Sequence, residues 1–335
     1  GAMLTHGNLR SNAEALVETW RFSASDRLIH ALPIFHIHGL FVACNTVLAS
    51  GASMLYLPRF DADEVLDAMA DGTVLMGVPT FYIRLLKSSR LNRDAVAAMR
   101  LFVSGSAPLT AETHQAFSAR AGVSILERYG MTETGMNTSN PYAGDRRAGT
   151  VGFPLPGIEI RIAQPEQAQA LPDGEVGMIE VRGPNVFAGY WRMPEKTAEE
   201  LRTDGWFMTG DLGMVDERGY LQIVGRGKDL VISGGYNVYP REVEQIIDEH
   251  PEVEESAVIG VTHPDFGEGV TAIVVPAAGT KPSEAGILEV LGGRLARFKQ
   301  PKRVLFVDAL PRNAMGKVQK NQLRDTYADL YQSTA

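Results

Sequence analysis

The sequence predicts an α/β domain followed by a smaller α+β unit, on three observations. Through the first third of the chain, stretches with apolar residues every three or four positions alternate with short continuous apolar runs. From about residue 151 to 227, glycine and proline punctuate short runs instead, the texture of antiparallel strands and turns. After Lys228, helical and strand patterns alternate again over a span long enough for a core of its own. In order, Thr5 or Asn8 can cap a helix carrying Leu9, Ala13, Leu16, Val17 and Trp20 on one face. Residues 29–32 read as a strand, 61–70 as a helix opened by a capping box of Asp61 and Glu64, and 74–77 as a strand. Pro79 starts a helix that runs through Lys87, and 101–104 is a strand ending at Gly105. Such short apolar runs predict a buried, largely parallel sheet. The runs at 175–182, 213–216 and 220–224 read as antiparallel strands. In the last unit, helices are expected at 241–249, 283–297 and 318–330, and strands at 256–261, 271–275 and 304–307. The boundary is placed so that residues 1–227 form one domain and 228–335 the other.

The 335 residues hold 40 Asp plus Glu against 32 Lys plus Arg, a formal charge of −8 that repels nucleic acid and anionic membranes. One cysteine, Cys44, excludes an internal disulfide and a Cys-based zinc cluster. Residues 28–58 lack charged side chains, but Pro33, His36, His38, Asn45, Ser50 and Ser53 interrupt them, which argues against a membrane span. No basic segment followed by an apolar one opens the chain, so a soluble, cytoplasmic protein is expected.

Charge in the last unit is polarised. Residues 242–255 hold seven acidic side chains and no Lys or Arg, whereas 294–324 hold nine Lys or Arg and one acid, Asp308. The basic segment reads either as a seat for a small polyanion or as a solvated face. Within it, Gly316 permits an unusual turn just before the point charge of Lys317.

Four further segments point to a nucleotide. Residues 129–133 (Tyr-Gly-Met-Thr-Glu) bring together a ring to stack a purine, a hydroxyl for phosphate and a carboxylate for Mg²⁺. Residues 209–211 (Thr-Gly-Asp) place a carboxylate beside a tight turn, suited to a pair of ribose hydroxyls. Residues 225–229 (Gly-Arg-Gly-Lys-Asp) add two cations, and Gly234 with Gly235 offers a backbone that a ligand can approach closely. Each alone is an ordinary turn. Together with 1–9, 33–38 (Pro-Ile-Phe-His-Ile-His), 104–108 (Ser-Gly-Ser-Ala-Pro) and 315–317 (Met-Gly-Lys), and in this order, the sequence resembles the adenylate-forming acyl-CoA synthetases over nearly its whole length.

That resemblance implies a fold, a reaction and a set of residues. The chain would be the C-terminal part of a large α/β plus β domain, followed by a small mobile α+β domain. A carboxylate would attack the α-phosphorus of ATP, and the thiol of coenzyme A would then displace AMP. The nucleotide would be held by Ser106, Ala107, Arg128, Tyr129, Gly130, Met131, Thr132, Asp211, Arg226 and Lys317, with Mg²⁺ on Glu133. Lys317, Thr132, Glu133 and Arg226 would serve catalysis, Lys228 would be the hinge, and Gly234, Gly235 and Tyr236 would border coenzyme A. Without the resemblance, Lys228 is an ordinary loop lysine. Exposed, Lys317 is also a target for a lysine acetyltransferase, since acetylation removes its charge.

Residues 79–84, 128–131 and 136–141 are similar to those of malonyl-CoA synthetases, which implies malonate or methylmalonate as the acid. The pocket would then draw on His36, Arg84, Ser104 and Met131, with Arg84 pairing the second carboxylate. On a helical wheel, however, Arg84 lies away from the apolar arc of Phe81, Tyr82, Leu85 and Leu86, as a solvent-facing residue does. His36 is otherwise a core imidazole, Met131 is otherwise core filler, and Ser104 and Ser106 can serve either the carboxylate or adenine. A short or medium monocarboxylate is the alternative substrate. The family's phosphate loop precedes the segment that begins here at Gly1, so the chain is expected to be part of a longer one; taken alone it reads as a non-catalytic fragment.

Overall fold

Seven strands form the main sheet of the computed structural model, which describes residues 1–164, 169–313 and 317–332. Thr5 and Asn8 exchange hydrogen bonds as a reciprocal capping box, which starts α1 (His6–Thr19). There follow β1 (Arg27–His30), π-helical turns at His38–Cys44, α2 (Asn45–Ser50), β2 (Ser53–Tyr56), α3 (Ala62–Ala68) and β3 (Val74–Gly77). Next come α4 (Pro79–Lys87), β4 (Leu101–Ser104), α5 (Ala111–Ala121), β5 (Leu126–Met131), β6 (Gly135–Ser139) and β7 (Phe153–Pro154). The sheet order is β2-β1-β3-β4-β5-β6-β7. The first five strands are parallel and β6 and β7 antiparallel, as the short doubly buried runs predict. The chargeless stretch 28–58 is thus a buried strand, a helical segment and a second strand; among the described residues no helix is long and apolar enough to cross a membrane.

A second sheet, in the order β11-β10-β9-β8, is built from β8 (Glu159–Ala163), β9 (Gly177–Arg182), β10 (Phe207–Val215) and β11 (Leu221–Arg226), with α6 (Pro194–Glu200) between β9 and β10. The third contains β12 (Val231–Ser233), β13 (Tyr236–Val238), β14 (Val253–His263), β15 (Gly267–Pro276) and β16 (Arg303–Phe306). Its helices are α7 (Pro240–Asp248), α8 (Glu284–Gly292) and α9 (Lys320–Thr326). Strand alternation divides its core: Val258, Val270, Ala272 and Val274 face α7 and α8, while Ala257, Ile259, Ile273 and Val275 pack with Leu323 of α9. Two helices are shorter than the periodicity predicts. The pair Gly292–Gly293 ends α8, and Val318 is held in a bridge to Arg312 instead of joining α9. The chain divides into two units, Gly1–Thr209 with Gly213–Ile223, and Gly210–Leu212 with Val224–Ala335.

In the first unit, one ion pair ties the approaches to β1 and β4. The Asp26 carboxylate, 4% exposed, accepts from Arg100 Nε at 2.6 Å and Nη2 at 2.8 Å, from Thr73 Oγ1 at 2.8 Å and from the Ser23 amide at 2.9 Å. Burial pushes its pKa up, but the Arg100, Ser23 and Thr73 hydrogen bonds prevail and hold it below the usual carboxylate value. A depressed folded value means that this stabilisation is complete above the ordinary carboxylate pKa and fades as pH falls through the folded one. Asp26→Asn is therefore expected to lower unfolding free energy by about 3 kcal/mol at neutral pH in urea titrations. The gap to the parent protein should narrow below about pH 4.

Candidate active site

The site of the first unit grows from the ends of β4 and β5. Ser104 is in register with Glu127, which sets residues 104–106 alongside 127–129. Arg128 is 4% exposed, and its guanidinium lies against the backbone of Gly105: a Cβ there would sit 2.4 Å from Arg128 Cζ. Ser106 follows with φ +68°, a strained value for a residue with a side chain, and its Oγ lies 3.2 Å from His38 Nδ1. Ser104 Oγ, His38 Nε2 and Arg128 Nε and Nη2 are all buried without a hydrogen-bond partner among the described residues.

These groups share one electrical character. Burial, then the neighbouring Arg128, holds the His38 pKa well below the ordinary histidine value, so the ring is neutral at pH 7. With the Ser106 hydroxyl donating to Nδ1, the ring carries its hydrogen on Nε2. Burial lowers the Arg128 pKa to about 9, which still leaves a cation at neutral pH. Among the described residues no carboxylate pairs with it. Donors on histidine, serine and arginine around an uncompensated positive charge suit an anion.

The other predicted residues of this unit take varied positions. His36, half-buried, accepts from the His38 amide at 3.2 Å. Tyr129 is 7% exposed and belongs to the core, so most of its ring is covered. Gly130 must be glycine because the β5–β6 bulge brings the Gly135 carbonyl within 2.0 Å of where a Cβ would stand. Met131 is half-buried, while Ala107 and Thr132 are exposed. Arg84 is exposed on the outer face of α4, as the wheel indicates, whereas Tyr82 on the inner face is fully buried.

Glu133, half-buried, has its Oε1 3.1 Å from the Tyr190 hydroxyl, which also lies 2.6 Å from Glu200 Oε2. Burial first, then these two carboxylates, push the Tyr190 pKa up. Among the described residues no group of three His, Cys, Asp or Glu converges as a metal site. His38, Tyr190 and Glu200 were not assigned roles by sequence reasoning. His38 had a signal, since it closes the segment 33–38; Tyr190 and Glu200 meet Glu133 only through long-range folding.

In the second unit, Asp211 lies within β10, not beside a tight turn: Gly210 takes φ +75° while the strand continues. Arg226 Nε, at the end of β11, is 3.0 Å from Asp211 Oδ1. Lys228 is exposed in the short turn Gly227–Asp229, where Asp229 pairs with Arg324 at 2.9 Å. Gly234 and Gly235 have φ +59° and +81°, forming the turn between β12 and β13. Beside them exposed Tyr236 packs its ring 4.8 Å from Phe298. Lys317 is exposed; its carbonyl accepts from the Asn313 amide and its amide donates to Asn313 Oδ1, both at 3.0 Å, while Met315 and Gly316 lie outside the described residues. The polarised charge is not a bare cationic face. Arg294 pairs with Glu249, Lys299 with Glu242, Arg312 with Glu255 and Lys320 with Glu244, so four of the nine cations of the basic segment are paired to the acidic one.

The fold is that of the adenylate-forming enzymes, and the chain belongs to the AMP-binding enzyme family. That family's sequence model matches residues 1–191, and the model of the AMP-binding enzyme C-terminal domain matches 242–317. A probable CoA ligase of Humulus lupulus and a malonate–CoA ligase of Arabidopsis thaliana are each 38% identical over 355 residues, covering 97% of this chain and 58% of their own length. The crystal structure of ATP-bound MatB from Rhodopseudomonas palustris is 63% identical with a TM-score of 0.96, over 99% of this chain and 66% of that one. The chain thus spans about three-fifths to two-thirds of the relatives it matches.

A buried cation with no counter-ion costs stability. Arg128→Met is expected to raise the unfolding free energy by about 1–3 kcal/mol, seen as a higher Tm in calorimetry. Small carboxylic acids should raise the Tm of the parent protein and leave that of the variant unchanged.

Proposed function

We propose that the protein of which this chain is part ligates a small dicarboxylic acid, malonate or methylmalonate, to coenzyme A. The acid carboxylate attacks the α-phosphorus of ATP, giving an acyl-adenylate and pyrophosphate; the coenzyme A thiol then attacks the acyl carbon and AMP leaves. The observation that carries this reading is the buried, unpaired Arg128 among His38, Ser104 and Ser106, supported by the similarity to malonate–CoA ligase and MatB.

Each residue has a chemical task in this reading. Arg128 serves a carboxylate of the acid in the interior, and Arg84 pairs the second carboxylate only if its side chain leaves the exposed face of α4, a point that the Arg84→Ala measurement decides. Ser104 and His38 donate to the acid, Ser106 holding His38 in the tautomer that leaves Nε2 as the donor, while His36 and Met131 shape its pocket. Tyr129 packs on adenine, with Ala107 and Gly130 leaving room for the nucleotide. Thr132 donates its hydroxyl to phosphate. Asp211, oriented by Arg226, keeps lone pairs for the ribose hydroxyls. Among the described residues no group of three His, Cys, Asp or Glu converges, which fits Mg²⁺, an ion that binds through one or two carboxylates and its substrate's phosphates, so Glu133 would hold an ion arriving with ATP. That ion supplies charge neutralisation on the phosphates. Lys317 brings a positive charge to the repelling carboxylate and phosphate, the small domain turns about Lys228 between half-reactions, and residues 234–236 border coenzyme A.

The full-length protein supplied with ATP, coenzyme A and either malonate or butyrate tests this by release of AMP and pyrophosphate. Malonate should turn over faster. Arg84→Ala and Arg128→Met should each cut malonate turnover more than about tenfold, a charge-assisted pair being worth over 1.4 kcal/mol, while butyrate changes little. Faster butyrate turnover rejects the dicarboxylate, and no pyrophosphate release with any acid rejects the ligase. Lys317→Ala, or acetylation of Lys317 by a lysine acetyltransferase, should abolish adenylate formation yet spare transfer from a supplied acyl-adenylate to coenzyme A. Equal loss of both half-reactions would contradict that role.

A further inference from the structure

Tyr190 lies between two carboxylates with a single hydrogen to give. Its hydroxyl is 2.6 Å from Glu200 Oε2 and 3.1 Å from Glu133 Oε1. A neutral phenol donates once, so only one of these contacts is a hydrogen bond at any moment. The shorter contact claims the hydrogen, and Lys196 Nζ, 3.6 Å from Glu200 Oε1, adds positive charge on that side. The phenol oxygen then presents lone pairs to Glu133, and two oxygens 3.1 Å apart with no hydrogen between them repel. Either the hydrogen swings to Glu133 or a cation settles beside it.

The phenol itself is fixed from every side. The Tyr190 amide donates to Thr197 Oγ1 at 2.9 Å, its ring packs edge-on against Phe187 at 4.8 Å, and Lys196 Nζ stands 4.8 Å above the ring. Phe187 in turn donates its amide to the Glu133 carbonyl at 2.8 Å, so the backbone of Glu133 and the ring of Tyr190 are held by one neighbour. Two segments far apart in sequence are thereby set at a fixed distance around one hydroxyl.

We propose that Tyr190 is a positioning residue for Glu133: with its hydrogen bond given to Glu200, its phenol oxygen and the Glu133 carboxylate together face the place where Mg²⁺ settles when it arrives with the nucleotide. Glu200 is the acceptor that keeps the hydrogen turned away from Glu133. This rests on Glu133 as the Mg²⁺ ligand of the proposed reaction. Outer partners of a metal-bound carboxylate set its orientation, and their loss typically weakens metal binding about 10- to 100-fold.

The test compares the full-length parent with Tyr190→Phe, which keeps the ring and its packing and removes only the hydroxyl. Mn²⁺ binding in the presence of a non-hydrolysable ATP analogue is read by electron paramagnetic resonance, and pyrophosphate release is read against Mg²⁺ concentration. Tyr190→Phe should weaken Mn²⁺ about tenfold and shift the Mg²⁺ requirement equally, while the rate at saturating Mg²⁺ stays within about threefold. Glu200→Ala, which frees the hydrogen to compete at Glu133, should shift both in the same direction. Unchanged Mn²⁺ affinity in Tyr190→Phe overturns the proposal, as does a loss of rate that is the same at every Mg²⁺ concentration. If the parent releases no pyrophosphate, the ligase reading fails, and the Mn²⁺ measurement still decides the role of Tyr190.

Discussion

A positive charge sealed inside a protein with no carboxylate partner among the described residues is the constraint around which the first unit is organised. Arg128 is expensive to bury, and burial lowers its pKa without discharging it. The surroundings accept that cost in specific ways. Glycine at 105 lets the guanidinium lie on the backbone, the strained Ser106 directs its hydroxyl at His38, and His38 stays neutral instead of adding a second charge. Unmet donors on three side chain types around one cation describe a complement to an anion, and natural folds keep such instability where function requires it.

The second unit manages charge in the opposite manner. Its acidic and basic segments, separated in sequence, are brought together by α7 packing on β14 and by the turns around α8 and α9. Four of the nine cations of the basic segment are thereby paired, and Lys317 lies on an exposed turn supported by Asn313. For a small α+β unit this leaves a well-separated core on each face of one sheet.

Periodicity made the elements of this fold legible where local rules act alone. The helix opened by Pro79 and the strands at 74–77 and 101–104 stand where the pattern puts them, because proline geometry and doubly buried apolar runs are local. The π-helical turns at His38–Cys44 were not legible, since their apolar spacing matches neither regular period. The same limit applies to the site. Motif order drew attention to Arg128, Glu133, Asp211 and Lys317. That Arg128 is buried and unpaired, that Asp211 sits in a strand against Arg226, and that Tyr190 bridges Glu133 and Glu200 depend on contacts across tens of residues. Charge counting left two readings of the basic segment open for the same reason, as the acids that pair four of its cations come from another part of the chain.

The central claim is that Arg128 is buried to receive the anionic acid. A crystal structure of the full-length protein with malonate and a non-hydrolysable ATP analogue tests it most directly. The account predicts a carboxylate oxygen of malonate within hydrogen-bond distance of Arg128 Nε or Nη2, with His38 Nε2 or Ser104 Oγ donating to the same group. Malonate bound elsewhere, with Arg128 paired to a protein carboxylate or left as it is here, would contradict it.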